Sequence, residues 1–285
     1  STDGRASVMK SLRCGLIGDH IGQTRFPAAL ELMCQEAGIE LSFELIDTAG
    51  KSDFDFAQFV DGLRADNWHG VSVTHPYKQD AADYAGEGMP SELRQLGASN
   101  ILVFGDTLTG LNTDYSGFVA AWALQLPTTS VGAVALAGAG GVARAIGPAL
   151  VELGASEITI FDTSTDRAKD LAKRLGPCAT IASPDQWPKA IKGADGLVNA
   201  TPLGMAYNPG SAFAADLIGK QAWAFDAVYT PTDTQFLTDC SHAGLATLTG
   251  FDLFQHMAIR SFQTYTGISP NPNVTLSNLA VLRPD

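Results

Sequence analysis

Apolar positions along this chain fall into two alternating rhythms. Short apolar runs read as buried strands, and longer stretches with apolar residues every three or four positions read as helices. The first strand is predicted over 13–18 and is followed by a helix over 27–37, with Pro27 near the first turn, where a missing N–H costs little. A second strand falls at 41–46. The stretch 54–65 is predicted helical, with Phe56, Phe59, Val60 and Leu63 on one face. A third strand at 70–73 runs into Thr74-His75-Pro76-Tyr77-Lys78, and two more are predicted at 99–104 and around 109–111, before a helix at 115–126. The polar segment Pro127-Thr128-Thr129-Ser130 reads as a linker into a second unit of the same kind. That unit has strands at 131–137, 157–162, 196–199 and 222–226, helices at 141–153 and 164–175, and a long amphipathic helix at 251–265. Pro148 falls inside the helix at 141–153, where it removes a backbone donor and is expected to kink the helix or shift its phase. Strands alternating with helices define an α/β fold.

Composition sets limits on this picture. A chain of 285 residues has room for two compact domains, and 45% hydrophobic with 17% charged residues supplies a core and excludes disorder. The net charge of −12 and pI of about 4.7 disfavour nucleic acid and anionic membrane as partners, so an anionic ligand must be gripped by local donors. Cys14, Cys34, Cys178 and Cys240 are widely spaced, with no C-x-x-C pair and no histidine at ligand spacing. They read as small buried hydrophobes in a reducing, cytoplasmic compartment, and no metal is expected. No apolar run has the length of a membrane span. The polar start, 1–7, lacks the apolar core of a signal peptide.

The most specific local pattern is Gly138-Ala139-Gly140-Gly141-Val142-Ala143, which follows an apolar strand and opens a helix. Glycines there allow a tight turn and close backbone approach to a pyrophosphate, and the helix N-terminus points N–H groups at it. The next strand ends in Asp162, 24 positions after Gly138, near the spacing of a ribose-binding carboxylate. A carboxylate there accepts from the ribose hydroxyls and repels a 2′-phosphate. Thr163, Ser164, Thr165 and Asp166 offer no cation, and Arg167 comes only later, so NAD is favoured over NADP. The candidate cofactor residues are Gly138, Ala139, Gly140, Gly141, Val142, Asp162, Thr163 and Arg167. The plainer readings are a glycine turn that packs helix on sheet, a helix-capping or loop role for Asp162, and a loop-steadying or solvated Arg144.

Lys78 and Asp114 carry the candidate chemistry. Each follows a strand, where loops gather at the carboxyl edge of a parallel sheet. Hydride transfer to or from a carbinol carbon needs a partner that gives or takes the hydroxyl proton, and a lysine held near a carboxylate can do this. Taken singly and from spacing alone, a surface lysine and a turn or cap aspartate are the commoner outcomes.

With these residues in view, the motifs resemble the shikimate/quinate dehydrogenase family over roughly 15–267. The family's N-V-T-x-P-x-K appears at 72–78, G-A-x-N at Gly97-Ala98-Ser99-Asn100, and G-x-N-T-D-x-x-G at 110–117. The glycine loop lies at 138–145, N-A-T-P-x-G-M at 199–205 and D-x-x-Y-x-P-x-x-T at 226–234. The resemblance implies an N-terminal α/β substrate and catalytic domain, 1–119, joined by the C-terminal 252–285, and a Rossmann-like NAD-binding domain, 120–251. It implies Lys78 and Asp114 as the catalytic pair, Thr74 and Asn100 on ring hydroxyls, and Tyr229 near the substrate carboxylate. Thr201, Val228 and Gly250 join the cofactor side. A small cyclic hydroxy acid is the implied partner, a place in aromatic amino acid biosynthesis the implied setting, and a monomer or homodimer the implied assembly.

Three departures bear on substrate. The family grips the substrate carboxylate with two hydroxyl residues in H-S-x-S-P, whereas this chain reads Gln23-Thr24-Arg25-Phe26-Pro27. Thr24 can still donate; Phe26 cannot. Met257 stands where a substrate-contacting glutamine is expected, and Ser72 replaces the leading Asn of its motif. Lost donors weaken binding of a polar substrate by a few kcal/mol, so a divergent member with weak shikimate/quinate activity or a related, less polar substrate is expected. His20 and His75 read as structural or exposed, Tyr77 and Tyr115 as cleft walls, and Phe251, Phe254 and Phe262 as core. Two other readings stay open: a non-catalytic, regulatory NAD-binding relative, and a different two-domain dehydrogenase such as a methylene-tetrahydrofolate type.

Overall fold

The computed structural model describes residues 8–284; the polar start expected at 1–7 lies outside them. The chain divides into two compact units. One comprises the described part of 1–90 with Ser99–Leu111 and Ala258–Leu282; the other comprises Ser91–Ala98 and Asn112–Met257, with the last few residues.

In the first unit a five-stranded sheet has the order β2-β1-β3-β4-β5. Its strands are β1 (Ser11–Gly18), β2 (Glu40–Asp47), β3 (Gly70–Val73), β4 (Ile101–Phe104) and β5 (Leu108–Leu111). β1 pairs in parallel with β2 and β3, but β4 is antiparallel to both β3 and β5. The sheet is therefore mixed, not parallel as expected. The reason is local: the three residues between β4 and β5 can close a hairpin but cannot carry a crossover. Two reversals restore direction, so β3 and β5 run the same way and end at one edge.

Helices α1 (Phe26–Ala37) and α2 (Phe56–Ala65) lie close to their predicted spans. α2 starts at Phe56 because the Asp55 carboxylate caps it, accepting from Gln58 N at 3.1 Å. Phe56, Val60 and Leu63 are buried and Phe59 is half-buried. α3 (Lys78–Ala85) and the short α4 (Ser91–Arg94) were not anticipated. α3 buries only Ala81 and Ala85, too faint a stripe to register as helical periodicity.

The second unit is built on a parallel six-stranded sheet of order β11-β10-β9-β6-β7-β8. Its strands are β6 (Ala133–Ala137), β7 (Glu157–Phe161), β8 (Ala179–Ile181), β9 (Gly196–Asn199), β10 (Trp223–Asp226) and β11 (Ala246–Leu248). Both faces are covered. Val134 and Leu136 face a core shared with α5 (Thr113–Gln125), α6 (Ala143–Glu152) and α7 (Thr165–Leu175). Ala135 and Ala137 face the opposite core with α8 (Trp187–Gly193) and α9 (Gln235–His242). This alternation is the period of two that a strand covered on both sides requires. α6 continues as one helix through Pro148. α10 (Gly250–Thr266) crosses from the second unit into the first, and α11 (Pro272–Leu279) follows it. In the first unit the Tyr265 and Ser72 hydroxyls are hydrogen-bonded at 2.7 Å in the interior.

Candidate active site

Three candidate residues of the first unit meet at the carboxyl edge of β3. Val73 N donates to Asn100 O at 2.8 Å, and Asn100 N donates to Leu111 O at 3.2 Å, so Asn100 bridges the ends of β3 and β5. Thr74 N donates to Ile17 O at the end of β1, and Ser99 N donates to Lys78 O at 2.8 Å. The backbone thus brings Thr74, Lys78 and Asn100 to one edge, with Asn100 buried and the other two half-buried. Lys78 opens α3. A helix N-terminus favours anions, so helix stability does not explain a lysine at this position. Tyr77 is not a free wall: its ring lies 5.2 Å from Phe54 and stacks at 5.6 Å on Phe56, and its hydroxyl donates to Thr48 Oγ1.

The substrate-side departures look different in three dimensions. Thr24 Oγ1 accepts from Phe26 N at 3.3 Å and helps open α1. The Phe26 ring, placed at the substrate by the sequence reading, is 4% exposed and packs edge-on against Phe43. Ser72 is taken up by Tyr265 in the interior. Met257 is half-buried on α10, beside Gly117 of α5.

Asp114 lies in the second unit, in the first turn of α5. The cap of that helix is Asn112, not Asp114. Its side chain accepts from Tyr115 N at 3.0 Å and donates to Ala98 O at 3.1 Å.

The cofactor candidates converge at the C-terminal ends of β6 and β9. From β6 the chain steps to β7 and β8 on one side, while β9, β10 and β11 lie on the other. This is the topological switch point, where open α/β sheets form a crevice. Gly138 has φ +101°, and a Cβ there would stand 2.7 Å from Ala200 O and 3.0 Å from Thr201 Cγ2. The turn and Thr201 are therefore in direct contact, at a spacing that only glycine permits.

Asp162, just past β7, accepts from Ala139 N at 2.8 Å through Oδ2 and from Ser164 N at 2.7 Å through Oδ1. Its carboxylate is thus fixed against the glycine turn. Ser164 caps α7, accepting from Arg167 N, and that first helical turn folds Arg167 back. Its Nη2 lies 3.2 Å from Asp162 Oδ1. Arg167 was expected among the cofactor residues but too far along the chain to bear on the cofactor choice; the fold puts its guanidinium beside the acid. Thr163 is exposed next to them. Arg144 is no solvated helix residue: it donates to Gly97 O at 3.2 Å and pairs with Asp170 at 2.8 Å, and Asp170 also pairs with Arg174. Burial pushes the Asp170 carboxyl up, but these two guanidiniums outweigh it and hold the group below its ordinary value.

Sequence reasoning gave no role to Asn199 and Asp226, although both lie in the quoted motifs. Asp226 is 0% exposed. It accepts from Asn199 Nδ2 at 3.0 Å, Val228 N at 2.9 Å and Thr234 Oγ1 at 2.7 Å. Burial raises its carboxyl to about 6, against the lowering effect of those donors. Asn199 Oδ1 in turn accepts from Thr201 N and Thr201 Oγ1. Gly250 faces the same segment, since a Cβ there would lie 2.7 Å from Val228 O. Tyr229 follows, its ring stacked 5.3 Å from Phe254 of α10. Thr201 is thus brought against the glycine turn, and Val228 against Gly250, with Asn199 and Asp226 linking the two.

Among the described residues no group of three or more His, Cys, Asp or Glu is arranged to hold a metal ion, and the four cysteines are free thiols. No described helix is long and apolar enough to cross a membrane.

A doubly covered parallel sheet with a glycine turn at its switch point, joined to a smaller mixed-sheet unit that carries a lysine at its carboxyl edge, defines a two-unit dehydrogenase. Comparison with known proteins gives the family. Residues 16–102 match the shikimate dehydrogenase substrate binding domain. The chain is 36% identical over 276 residues to a shikimate dehydrogenase (NADP(+)) of Streptomyces avermitilis, covering 94% of each chain. It is 35% identical over 270 residues to a quinate/shikimate dehydrogenase (NAD(+)) of Corynebacterium glutamicum, covering 92% of this chain and 95% of that one. Its fold superposes on the quinate dehydrogenase of Corynebacterium glutamicum in complex with NAD with a TM-score of 0.89, at 32% identity, over 95% of this chain and 99% of that one. The chain belongs to the shikimate dehydrogenase family and is an oxidoreductase acting on CH–OH groups. A non-catalytic role is not favoured beside relatives named as shikimate and quinate/shikimate dehydrogenases.

Proposed function

We propose that this protein uses NAD to interconvert the ring hydroxyl and ketone of a shikimate- or quinate-like cyclic hydroxy acid. The observation that carries the cofactor choice is Asp162, a carboxylate fixed by Ala139 N against the glycine turn. It stands where ribose hydroxyls would donate to it and a 2′-phosphate would be repelled. Arg167 offsets part of that repulsion, so discrimination against NADP is moderate. At Gly138 the missing Cβ lets the turn close on Ala200 and Thr201, while a Cβ at Gly140 would meet open space, where a pyrophosphate would approach, and the N-terminus of α6 supplies donors toward it. The related NAD(+) enzymes support this choice, and the NADP(+) enzyme of Streptomyces avermitilis is the counterweight.

When bound, the nicotinamide accepts or returns the hydride at the carbinol carbon. The protein's own residues do the rest. Lys78, paired with Asp114 as the family resemblance implies, takes the hydroxyl proton during oxidation and gives it back during reduction. Thr74 and Asn100, on the edge that carries Lys78, hold neighbouring ring hydroxyls. Thr24 and Tyr229 serve the carboxylate. Residues 1–119 with 252–285 form the substrate side in this scheme, and 120–251 the NAD side. Because Phe26 and Ser72 are turned inward, the departure that most alters the substrate side is Met257 in place of a glutamine.

The test is a kinetic screen of shikimate, quinate and analogues with NAD and NADP. Efficiency with NAD should exceed that with NADP, and shikimate should be turned over less efficiently than a cyclic acid lacking one hydroxyl. Full efficiency on shikimate would sink the altered-substrate reading. Lys78→Ala should lower kcat by about 10²–10⁴-fold while leaving the Kd for NAD nearly unchanged. Equal losses in both would contradict the assignment.

A further inference from the structure

We propose that Asp226 is a positioning residue of the cofactor side, whose carboxylate locks the loops after β9 and β10 so that Thr201 and Val228 stand beside the glycine turn. The proposal rests on the dinucleotide site argued above.

A carboxylate removed from water among neutral partners is costly. Asp226 is fully buried, and its three donors are an amide side chain, a backbone N–H and a hydroxyl, all neutral. A core needing only stability at this point is better served by an apolar residue. What the carboxylate offers instead is acceptor capacity at two oxygens. Oδ1 takes Asn199 Nδ2 and Val228 N, joining the end of β9 to the turn after β10. Oδ2 takes the hydroxyl of Thr234, which caps α9 by accepting from Leu237 N.

The chain of bonds then runs outward. Nδ2 of Asn199 donates to Asp226, to Leu203 O and, at 3.5 Å, to Thr201 O, which leaves Oδ1 to accept from both Thr201 N and Thr201 Oγ1. Thr201 Oγ1 in turn accepts from Leu203 N at 3.2 Å. Thr201 Cγ2 is the atom that the Gly138 turn approaches, and Val228 O is the atom that Gly250 approaches. The buried carboxylate is thus one bond from Val228 and two from Thr201, the residue that meets the glycine turn at the switch point. Above pH 6 it is the acceptor-only anion that all three donors require.

The experiment compares wild type, Asp226→Ala and Asp226→Asn by direct titration with NAD and with NADP in the absence of substrate, alongside Tm. Ratios are taken with whichever dinucleotide wild type binds more tightly, so an error in cofactor choice leaves the result intact. Asp226→Ala should raise the dinucleotide Kd at least tenfold. Asp226→Asn keeps the shape and one acceptor oxygen, so it should restore part of that affinity, leaving a weakening of about threefold with a Tm at or above wild type near neutral pH. In turnover, KM for the dinucleotide should rise while KM for the hydroxy acid stays within twofold. If Asp226→Ala does not fold, the Asn variant decides alone. Dinucleotide affinity within experimental error of wild type in Asp226→Asn, or parallel loss of both KM values in step with Tm, overturns the proposal. Wild type binding neither dinucleotide removes the functional reading, and the role of Asp226 with it.

Discussion

Asp162 shows how far one side chain's meaning depends on what the fold puts next to it. As a sequence feature it is an acid at the ribose-binding spacing. In the structure its side chain is 8% exposed, and its oxygens already accept from Ala139 N, Ser164 N and Arg167. Each oxygen accepts two hydrogen bonds, so Oδ2 retains room for a ribose hydroxyl. The guanidinium of Arg167, 60% exposed, is tethered to the acid by one contact at 3.2 Å. Exposed ion pairs are weak, so Arg167 is available to a 2′-phosphate once the acid's charge is gone. Asp162→Asn keeps an acceptor for Ala139 N and removes that charge. The NADP-to-NAD ratio of kcat/KM should rise by about tenfold, equivalent to roughly 1.4 kcal/mol. An unchanged ratio would show that Asp162 does not read the ribose. Arg167 itself was legible as a residue but not as a neighbour. Five positions along an extended chain are remote, whereas one turn of helix capped by Ser164 folds them back.

At the scale of elements, what periodicity could reveal was largely visible. Amphipathic α1, α2 and α7 and the fully buried β3 and β9 stand close to their expected spans. Among the elements left out, α3 buries two alanines, and β8 and β11 are three residues long, too short for alternation to emerge, whereas α9 buries Phe236, Leu237 and Cys240 and was legible but unread. The direction of β4 was not written in its own residues but in the brevity of the hairpin after it. The glycine turn and Asp162 were legible because phosphate binding demands backbone geometry that leaves a local imprint. The Asp226–Asn199 network was not, because the bond that closes it joins residues 27 apart in sequence. α5 shows how an element carries a functional residue. Asn112 both accepts from Tyr115 N and donates to the carbonyl of Ala98, and Asp114 follows within the same turn. Asn112→Ala removes a cap worth about 0.5–2 kcal/mol and leaves the Ala98 carbonyl without that donor, at about 1 kcal/mol. Tm should fall by roughly 4–8 °C, and kcat should fall more than the dinucleotide affinity, because Asp114 shifts with the helix start. A lower Tm with unaltered kcat would separate the cap from the position of Asp114.

For the whole molecule, stability as a function of pH tests whether the buried charge is retained at a cost. Backbone N–H groups, Ala49 first, hold Asp47 below its ordinary value, and the guanidiniums of Arg174 and Arg144 do so for Asp170. Such groups stabilise the native state above their unfolded value, and that contribution is lost as pH falls through their folded values. Asp226 has the opposite sign. Its native carboxyl is raised from 3.8 to about 6, so the unfolded chain releases this proton first. Its stabilising contribution is complete below the unfolded value and disappears as pH rises through about 6. The raised value corresponds to about 3 kcal/mol lost across that window. Cys240 of α9 shares its field, but burial keeps that thiol neutral to about 12, so it does not titrate there. Urea unfolding of wild type and Asp226→Asn from pH 4 to 8 isolates the effect, since the amide carries no proton to release. Wild type should lose stability relative to the variant between pH 4 and 6, and the difference should level off above 6. A flat difference would mean that the native site holds the anion as comfortably as water does. The predicted decline, together with weaker dinucleotide binding by the same variant, would mean that this molecule keeps a destabilising charge in its core because the cofactor side needs it there.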